Sequence, residues 1–474
     1  MTKQASPDGA NDKILRMGTE STWKLLLEFS IPAVVGMLVQ MLYNVIDAAY
    51  VGHAVGPDGL AATTVATPAM TAMIAVAVLV GVGGNALAAI RLGEGEKTEA
   101  ERVLAASFAL LVIVSALGWI AAALWLDPLL RVSGANDQVM PYARDFMVVL
   151  AVGAPLSFIA FGMNNFIRTA GHPSRALGSM LVGTATNVVL GYVFIVALGW
   201  GMRGAGLATV LSWGASTVFV MQFFLKKGSP LPLRNPLGAL DLRLSSRILA
   251  LGAAPAVTEL GFAVSSGIEN NLLVMYGAFD AIGSDGALAV MRVCTSVGML
   301  TFMPMMGIAT GAQPLIGYNF GAKAYRRMRK VLAQAMLLAF LVVLPFWGSV
   351  LFAPDVYSHL FGLPGAYLDE TARALVLYLV FIPILPIQVI GSNYFDSTGQ
   401  AAKATALSLT RQVLFLIPLL IFCPMVLPSL LPISAVESVW FAASLSDIAS
   451  VILVSGFLAA ENRRLSRLGA AQHE

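Results

Sequence analysis

The sequence predicts an all-α polytopic membrane protein with twelve transmembrane helices in two six-helix lobes related by pseudo-two-fold symmetry. Three observations predict this fold. Of the 474 residues, 58% are hydrophobic and only 12% are charged, against about 45–50% and about 25% in soluble domains. The chain also contains twelve apolar runs long enough to cross a bilayer. Finally, its two halves repeat the same residues about 228 positions apart.

The apolar runs define the candidate spans, because about 20 helical residues cover the hydrocarbon core of a bilayer. In the first half they lie near residues 28–51, 60–90, 102–126, 140–166, 175–199 and 204–225, and in the second near 247–276, 286–316, 331–353, 371–395, 403–430 and 436–460. We divide the chain accordingly into a cytoplasmic N-terminal tail (1–22), an N-lobe (23–227), an inter-lobe linker (228–246), a C-lobe (247–462) and a cytoplasmic C-terminal tail (463–474).

The internal repeat indicates the class of function. Leu60, Gly83 and Gly93 recur 228 residues later as Leu288, Gly311 and Gly321. Because six spans is an even number, both halves enter the membrane from the same side, so the axis relating them runs along the membrane normal with a cavity between them. Duplicated six-span units of this kind are typical of secondary transporters.

The charge distribution predicts the orientation. If the N-terminus is cytoplasmic, 24 of the 29 Lys and Arg residues, including Arg411, fall in the tails and cytoplasmic loops. By the positive-inside rule both termini are then cytoplasmic. Residues 1–22 lack the apolar core of a cleavable signal peptide. A net charge of +3, spread along the chain, gives no indication of a nucleic-acid partner, so we expect only membrane lipids around the protein. Because the predicted cavity lies within one chain, we expect a monomer.

Asp47 is the strongest candidate for a coupling residue. Gln40, Tyr43 and Asp47 are spaced as one polar stripe on the apolar first span, with Asn44 beside them. A charged group at mid-membrane costs roughly 2.5–3.5 kcal/mol on insertion scales, so such residues are usually functional. Desolvation disfavours the charged carboxylate, which suits binding and release of a proton. The alternative is a structural hydrogen bond near the end of the span. Asn187 in span five and Thr209 in span six are candidate partners, although either could be a plain interhelical contact.

The second half carries further polar candidates. Glu259 and Glu269 lie in span seven, where each could contact a cationic substrate or carry a second ion, or pair with Arg292 in span eight. We expect Arg292 to neutralise one of them. The remaining candidates for the substrate cavity are flexible or amide side chains of the C-lobe spans, namely Met299, Met303, Gln313 and Gln388. Polarizable methionines would suit flat cations of varied shape, although packing alone also explains them.

No enzyme motif is recognisable. The sequence has no nucleotide-binding loop and no His/Cys cluster, and Gly81-Val-Gly83-Gly84 lies inside an apolar span, where it predicts close helix packing. We therefore expect no cofactor and no bound metal, with energy supplied by a transmembrane H⁺ or Na⁺ gradient.

The chain resembles the MATE (multidrug and toxic compound extrusion) family over roughly residues 20–465. Asp47-Ala-Ala-Tyr-Val-Gly52 is similar to the family's first-span signature, and Gly311–Lys323 resembles the segment leaving span eight in its MepA-like and DinF-like branches. The resemblance implies the MATE/MOP fold and export of small cationic or amphipathic drugs against H⁺ or Na⁺. It also implies that Asp47, Asn187 and Thr209 form the N-lobe cation site, at which Asp47 and Asn187 could bind Na⁺.

Two departures from the family pattern bear on the coupling ion. Many relatives carry an Asp one turn after the span-five Asn, where this chain has Gly191. The acids of the NorM-type C-lobe sodium site are also absent from spans seven and ten. The second departure speaks against a C-lobe sodium site of that kind. The first leaves Asp47 with fewer acidic neighbours, so that either ion could couple transport, and we favour protons. A lipid-linked precursor flippase of the same superfamily is the alternative function. Its cavity should be basic in order to hold a pyrophosphate, whereas few of these spans carry arginine.

Overall fold

Long apolar helices build the chain. The computed structural model describes residues 7–133, 135–226, 228–361 and 367–470, and the described residues contain no β-strand. Their α-helices are α1 (Pro7–Thr19), α2 (Thr22–Ala54), α3 (Pro57–Gly93), α4 (Lys97–Val132), α5 (Met140–Thr169), α6 (Pro173–Gly191), α7 (Gly201–Leu225), α8 (Leu242–Gly277), α9 (Gly283–Gly321), α10 (Tyr325–Phe352), α11 (Pro354–Leu360), α12 (Leu368–Leu379), α13 (Leu385–Ser397), α14 (Ala401–Leu409), α15 (Leu416–Leu430) and α16 (Ala435–Ala470).

The prediction of twelve spans is confirmed. Within the described residues, twelve helical segments are long and apolar enough to cross a membrane, and the shortest has 24 residues. They are Thr22–Ala54, Asp58–Gly93, Lys97–Ile120, Met140–Thr169, Pro173–Ala197, Gly201–Leu225, Leu242–Gly277, Gly283–Gly321, Tyr325–Phe352, Leu368–Ser397, Ala401–Leu430 and Ala435–Leu465. Each predicted run overlaps one of these segments, because the hydropathy of lipid-facing helices marks them strongly.

Three spans are not regular α-helices throughout. Span five ends in a π-helical segment, Tyr192–Ala197, and span eleven contains another at Thr410–Phe415. Span ten changes to a 3₁₀ turn at Ile382–Ile384, which contains Pro383 and is followed by Pro386. The missing N–H groups of these prolines interrupt the α-helical hydrogen bonds. Local π-segments often occur at functional sites, since they redirect side chains.

The residue contacts divide the chain into two compact units. The first comprises Met1–Glu259 together with Gly311–Ala324 and Asp396–Ala401, and the second comprises Leu260–Thr310, Tyr325–Phe395 and Ala402–Glu474. The last turns of α9 therefore belong to the first unit, although they lie in the second half of the sequence. The first unit therefore contains segments of both sequence repeats.

Inside the first unit, glycines let helices approach closely. A Cβ atom added to Gly81 of α3 would lie 2.5 Å from the Gly162 Cα of α5, and one on Gly84 would overlap the Ser107 hydroxyl of α4. Only residues without side chains permit such contacts between helix backbones. The expected close packing of Gly81-Val-Gly83-Gly84 is confirmed.

The N-terminal segment is more ordered than its polar composition indicates. Helix α1 buries Ile14 and Met17, which are 6% and 1% exposed, and its Arg16 donates to Glu20 and to Glu28 of α2. The Asn319 side chain of α9 donates to the Met17 carbonyl at 3.2 Å. The first six residues of the predicted N-terminal tail and the last four of the C-terminal tail lie outside the described residues.

Candidate functional site

A polar cluster in the first unit contains the residues predicted to bind the coupling cation. Asn187 of α6 and Thr209 of α7 are buried, being 2% and 1% exposed, and the Asn187 Nδ2 donates to the Thr209 Oγ1 at 3.3 Å. Tyr43 lies one helical turn before Asp47 on α2, and both residues are half-buried. Helices α6 and α7 thus bring Asn187 and Thr209 together, while α2 carries Tyr43 and Asp47.

Asp47 differs from an ordinary structural acid in having no partner. Its Oδ1 is buried and makes no hydrogen bond, and no ion pair to Asp47 is found among the described residues. The residue as a whole is half-buried, and a buried carboxylate oxygen without a partner is costly in a low-dielectric environment. Gln40, Tyr43 and Asp47 of the predicted stripe are all half-buried, whereas Asn44 is exposed on the same helix.

Position 191 lies next to this cluster. A Cβ added to Gly191 would lie 3.9 Å from the Asn187 Oδ1 and 3.2 Å from the Tyr50 ring. A carboxylate at this position would therefore lie beside Asn187.

A second polar site lies within the second unit. A cavity of about 60 Å³ is large enough for water molecules. Its polar lining comes from α8, α9, α12, the π-segment of span eleven and α16: Ser265, Ser266, Glu269, Thr295, Tyr378, Arg411, Gln412, Ser446 and Asp447. Glu269 is 6% exposed, and its Oε1 has no hydrogen-bond partner.

Arg411 and Asp447 form the ion pair of this cavity. The Arg411 Nε donates to the Asp447 Oδ1 at 2.7 Å, and the guanidinium lies 5.7 Å from the centre of the Phe302 ring. The prediction that Arg411 is a cytoplasmic loop residue is wrong, because Arg411 lies inside span eleven, where it is half-buried and paired with Asp447. The π-segment Thr410–Phe415 carries both Arg411 and Gln412 to the cavity.

The expected role of Arg292 is also wrong. Arg292 is exposed, and the described part of the chain contains no ion pair between it and Glu259 or Glu269. Its position on the outer surface of α9 explains why it neutralises neither acid. Of the two acids, only Glu269 lines the cavity, while Glu259 is half-buried in α8 and belongs to the first unit.

The remaining predicted residues occupy different surroundings. Met299 and Met303 are half-buried and do not line the 60 Å³ cavity, and Gln388 is 6% exposed in α13. Gln313 lies in the first unit, where it accepts a hydrogen bond from Asn85. Sequence reasoning missed Asn85 and Gln412, and the signal for Asn85 was available: it and Gln313 stand 228 residues apart, at the offset of the repeat.

A membrane transporter is the class of protein that combines twelve spans, an internal repeat and polar groups buried between its helices. The MatE family model matches residues 32–193 and 262–422, and the chain belongs to this family, whose members are transporters and not enzymes. The resemblance noted in the sequence and the predicted fold class are thereby confirmed.

Individual relatives agree with this assignment. The multidrug export protein MepA of Staphylococcus aureus strain MSSA476 is 23% identical over 91% of this chain and 93% of its own length. MepA of Staphylococcus haemolyticus strain JCSC1435 is 21% identical over 85% of this chain and 87% of its own. A crystal structure of MATE in the bent conformation superposes with a TM-score of 0.87, at 24% identity over 98% of this chain and 99% of that one. The spans and the bacterial relatives indicate a multi-pass protein of the inner (plasma) membrane.

Proposed function

We propose that the protein is a secondary active antiporter that exports organic cations across the plasma membrane in exchange for H⁺, or alternatively Na⁺. Its relatives named multidrug export proteins support small cationic or amphipathic drugs as the cargo. The observation that carries the proposal is the buried Asp47 Oδ1, which has neither a hydrogen bond nor an arginine to satisfy it. A carboxyl group in this state can exchange a proton for a bound cation at little cost to the fold.

Each neighbour of Asp47 has a definable part in this exchange. Tyr43 lies one turn before Asp47 on α2, and Thr209 is held by the Asn187 amide and by its own bond to the Ala205 carbonyl at 3.0 Å. These three groups would orient the carboxyl and solvate whichever cation it holds. If the ion is Na⁺, the oxygen atoms of Asp47 and Asn187 are its candidate ligands. We favour the proton, because Gly191 leaves the cluster with a single carboxylate.

The cavity of the second unit supports a cationic rather than an anionic cargo. Its acidic and basic side chains are two carboxylic acids, Glu269 and Asp447, and one guanidinium, that of Arg411. Since Arg411 is already paired with Asp447, Glu269 is the group available to a positively charged substrate. A pyrophosphate headgroup would instead require an excess of basic groups, so this polarity argues against a lipid-linked precursor flippase.

We further infer that both termini lie in the cytoplasm. With Arg411 assigned to the membrane, the tails and cytoplasmic loops still hold most of the basic residues. In this orientation Asp47, which lies seven residues before the end of α2 at Ala54, is nearer the outer side of the membrane.

Transport by an Asp47→Asn variant tests the proposal. In cells lacking their own drug pumps, the wild type should extrude ethidium, and a protonophore should stop the extrusion. The variant should retain less than about a tenth of that rate, with an unchanged amount of protein in the membrane. Asp137→Asn is the matched control, because the Asp137 side chain is 95% exposed. Wild-type efflux by Asp47→Asn would refute Asp47 as the coupling residue.

A further inference from the structure

Basic side chains from three segments of the first unit lie together at the start of α6. Lys13 belongs to α1, His172 to the loop before α6 and Arg175 to the first turn of α6. The backbone of α1 packs on this loop, because a Cβ added to Gly171 would lie 3.0 Å from both the Cβ and the carbonyl oxygen of Lys13. Burial, aided by the charges of Lys13 and Arg175, lowers the pKa of His172 to about 4. Both cations therefore lie close to the same imidazole ring.

No acid of the chain neutralises these two cations. Within the part of the chain that the structure describes, Lys13 and Arg175 form no ion pair, and the exposed Asp12 beside Lys13 pairs with neither of them. Arg16 of the same helix differs, since it binds Glu20 at 2.6 Å. Like charges at close range repel each other. An anion from outside the chain would therefore stabilise this arrangement.

Two aromatic rings of α7 hold the Arg175 guanidinium in position. Its central carbon lies 5.6 Å from the centre of the Phe219 ring and 5.3 Å from that of the Phe223 ring. A guanidinium over ring faces keeps its N–H groups available to an acceptor in its own plane. The Arg175 Nε is buried and has no hydrogen-bond partner. Because buried donors are normally paired, this one indicates an acceptor supplied by a ligand.

The surroundings of Arg175 match those of a phospholipid headgroup. The start of α6 is cytoplasmic in the inferred orientation, so Arg175 lies at the level of the inner headgroups. Helix α6 exposes Ser174, Leu181 and Val189 on one side, at helical spacing, and the two apolar residues are 42% and 60% exposed. A lipid whose acyl chains lie along this apolar side has its phosphate beside Arg175.

We propose that this headgroup site (Lys13, His172, Arg175, Phe219 and Phe223) binds the phosphate of an anionic phospholipid of the cytoplasmic leaflet. The Arg175 guanidinium donates to the phosphate, and Lys13 supplies a second positive charge from α1. The bound phosphate thereby ties α1 to α6. Basic pockets between helices on the cytoplasmic side bind such headgroups in other membrane proteins. A zwitterionic lipid fits less well, because its own cationic group is repelled by the same two residues.

Titration of the purified, delipidated protein with short-chain lipids tests the proposal. Dioctanoyl phosphatidylglycerol is added in detergent micelles, and its binding is followed as the rise in melting temperature. The wild type should bind it about tenfold more tightly than dioctanoyl phosphatidylcholine, whose headgroup has no net charge. Lys13→Gln and Arg175→Gln should each weaken phosphatidylglycerol binding about fivefold, because each removes one charge from the site. Sodium phosphate at the same concentrations should leave the melting temperature unchanged.

Arg326→Gln and Lys330→Gln are the matched controls, because both side chains are exposed near the cytoplasmic start of α10. Both should bind phosphatidylglycerol like the wild type, and so should Asp47→Asn, since the site does not depend on transport. An unchanged affinity in Lys13→Gln, whose exposed side chain is not needed for folding, would overturn the proposal. Equal binding of the two lipids by the wild type would do the same. Stabilisation by sodium phosphate equal to that by the lipid would show a site for free anions and not for a lipid.

Discussion

The Arg411 Nε and the Asp447 Oδ1 lie 2.7 Å apart and join the π-segment of span eleven to α16. Both side chains are largely buried, with 22% and 9% of their surface exposed. Removal of one member of a buried ion pair typically costs about 3–5 kcal/mol, because the other charge is left uncompensated. The pair therefore gives a clear prediction about stability.

Asp447→Ala should lower the melting temperature of the purified protein markedly, by an amount corresponding to several kcal/mol. The double variant Arg411→Met/Asp447→Leu should recover most of this loss, since no buried charge then remains. Both are measured by thermal unfolding in detergent, with the exposed pair Arg203–Asp145 as a control whose disruption should change little. Equal losses in the single and double variants would show that the ion pair is not the origin of the effect.

Glu269→Gln should reduce the affinity for singly charged cationic substrates without loss of folded protein. Glutamine preserves the size of the side chain in the 60 Å³ cavity but removes its negative charge. We expect the KM for ethidium to rise about tenfold, which corresponds to roughly 1.4 kcal/mol, while an uncharged substrate is unaffected. Asp285→Asn, at an exposed acid of α9, is the control. An unchanged KM for ethidium would remove Glu269 from the substrate site.

Gly191→Asp should make transport depend more strongly on sodium. The new carboxylate would lie near the Asn187 Oδ1, so that two acids and an amide oxygen could surround one Na⁺. The Tyr50 ring must shift by a few tenths of an ångström to accommodate it. Efflux is measured with an imposed Na⁺ gradient at equal pH on both sides. The control is Gly191→Asn, whose side chain has the same shape without the charge. If Gly191→Asn gave the same increase in sodium-driven efflux, the added charge would not be its cause.

Protonation of His172 should lower the free energy of unfolding in mildly acidic solution. It lies in the loop before α6, with its ring edge-on to Phe223 at 5.1 Å between centroids. Burial, aided by the nearby charges of Lys13 and Arg175, lowers its pKa from 6.5 to about 4. The unfolded chain therefore binds the proton more readily, so stability present above pH 6.5 is lost progressively as the pH falls towards 4.

The apparent melting temperature should accordingly drop between pH 6.5 and pH 4 by roughly 2 °C or more. In His172→Gln the drop over that range should be smaller, whereas substitution of the exposed His53 should leave it unchanged. The same drop in wild type and His172→Gln would show that another group titrates there.

The spans and the Asp47 stripe could be predicted because they are local patterns of the sequence. Twenty apolar residues need no partner to be recognised, and Tyr43 and Asp47 lie on one helix face by spacing alone. The prediction placed Arg411 in a cytoplasmic loop. A basic residue is stable in the membrane when it is paired with an acid, and the acid that pairs with Arg411, Asp447, lies 36 residues away in the chain. The presence of both in neighbouring spans was the available signal.

Two other features depend on tertiary contacts that composition does not reveal. Helix α1 has a polar sequence. It is stabilised by the burial of Ile14 and Met17 and by the hydrogen bond from Asn319 to the Met17 carbonyl. The repeat was visible in Gly83 and Gly311, but the self-contact of Asn85 and Gln313 requires knowledge of which helices surround the axis. A sequence repeat gives symmetry without giving the position of its axis.

The most direct test of the central claim is proton release on substrate binding. Purified protein is mixed with ethidium in weakly buffered, sodium-free solution containing a pH indicator. If Asp47 exchanges its proton for cargo, the wild type should release protons in proportion to the ethidium bound, and Asp47→Asn should release none while remaining folded. Equal proton release by the wild type and Asp47→Asn, or none by either, would contradict the account.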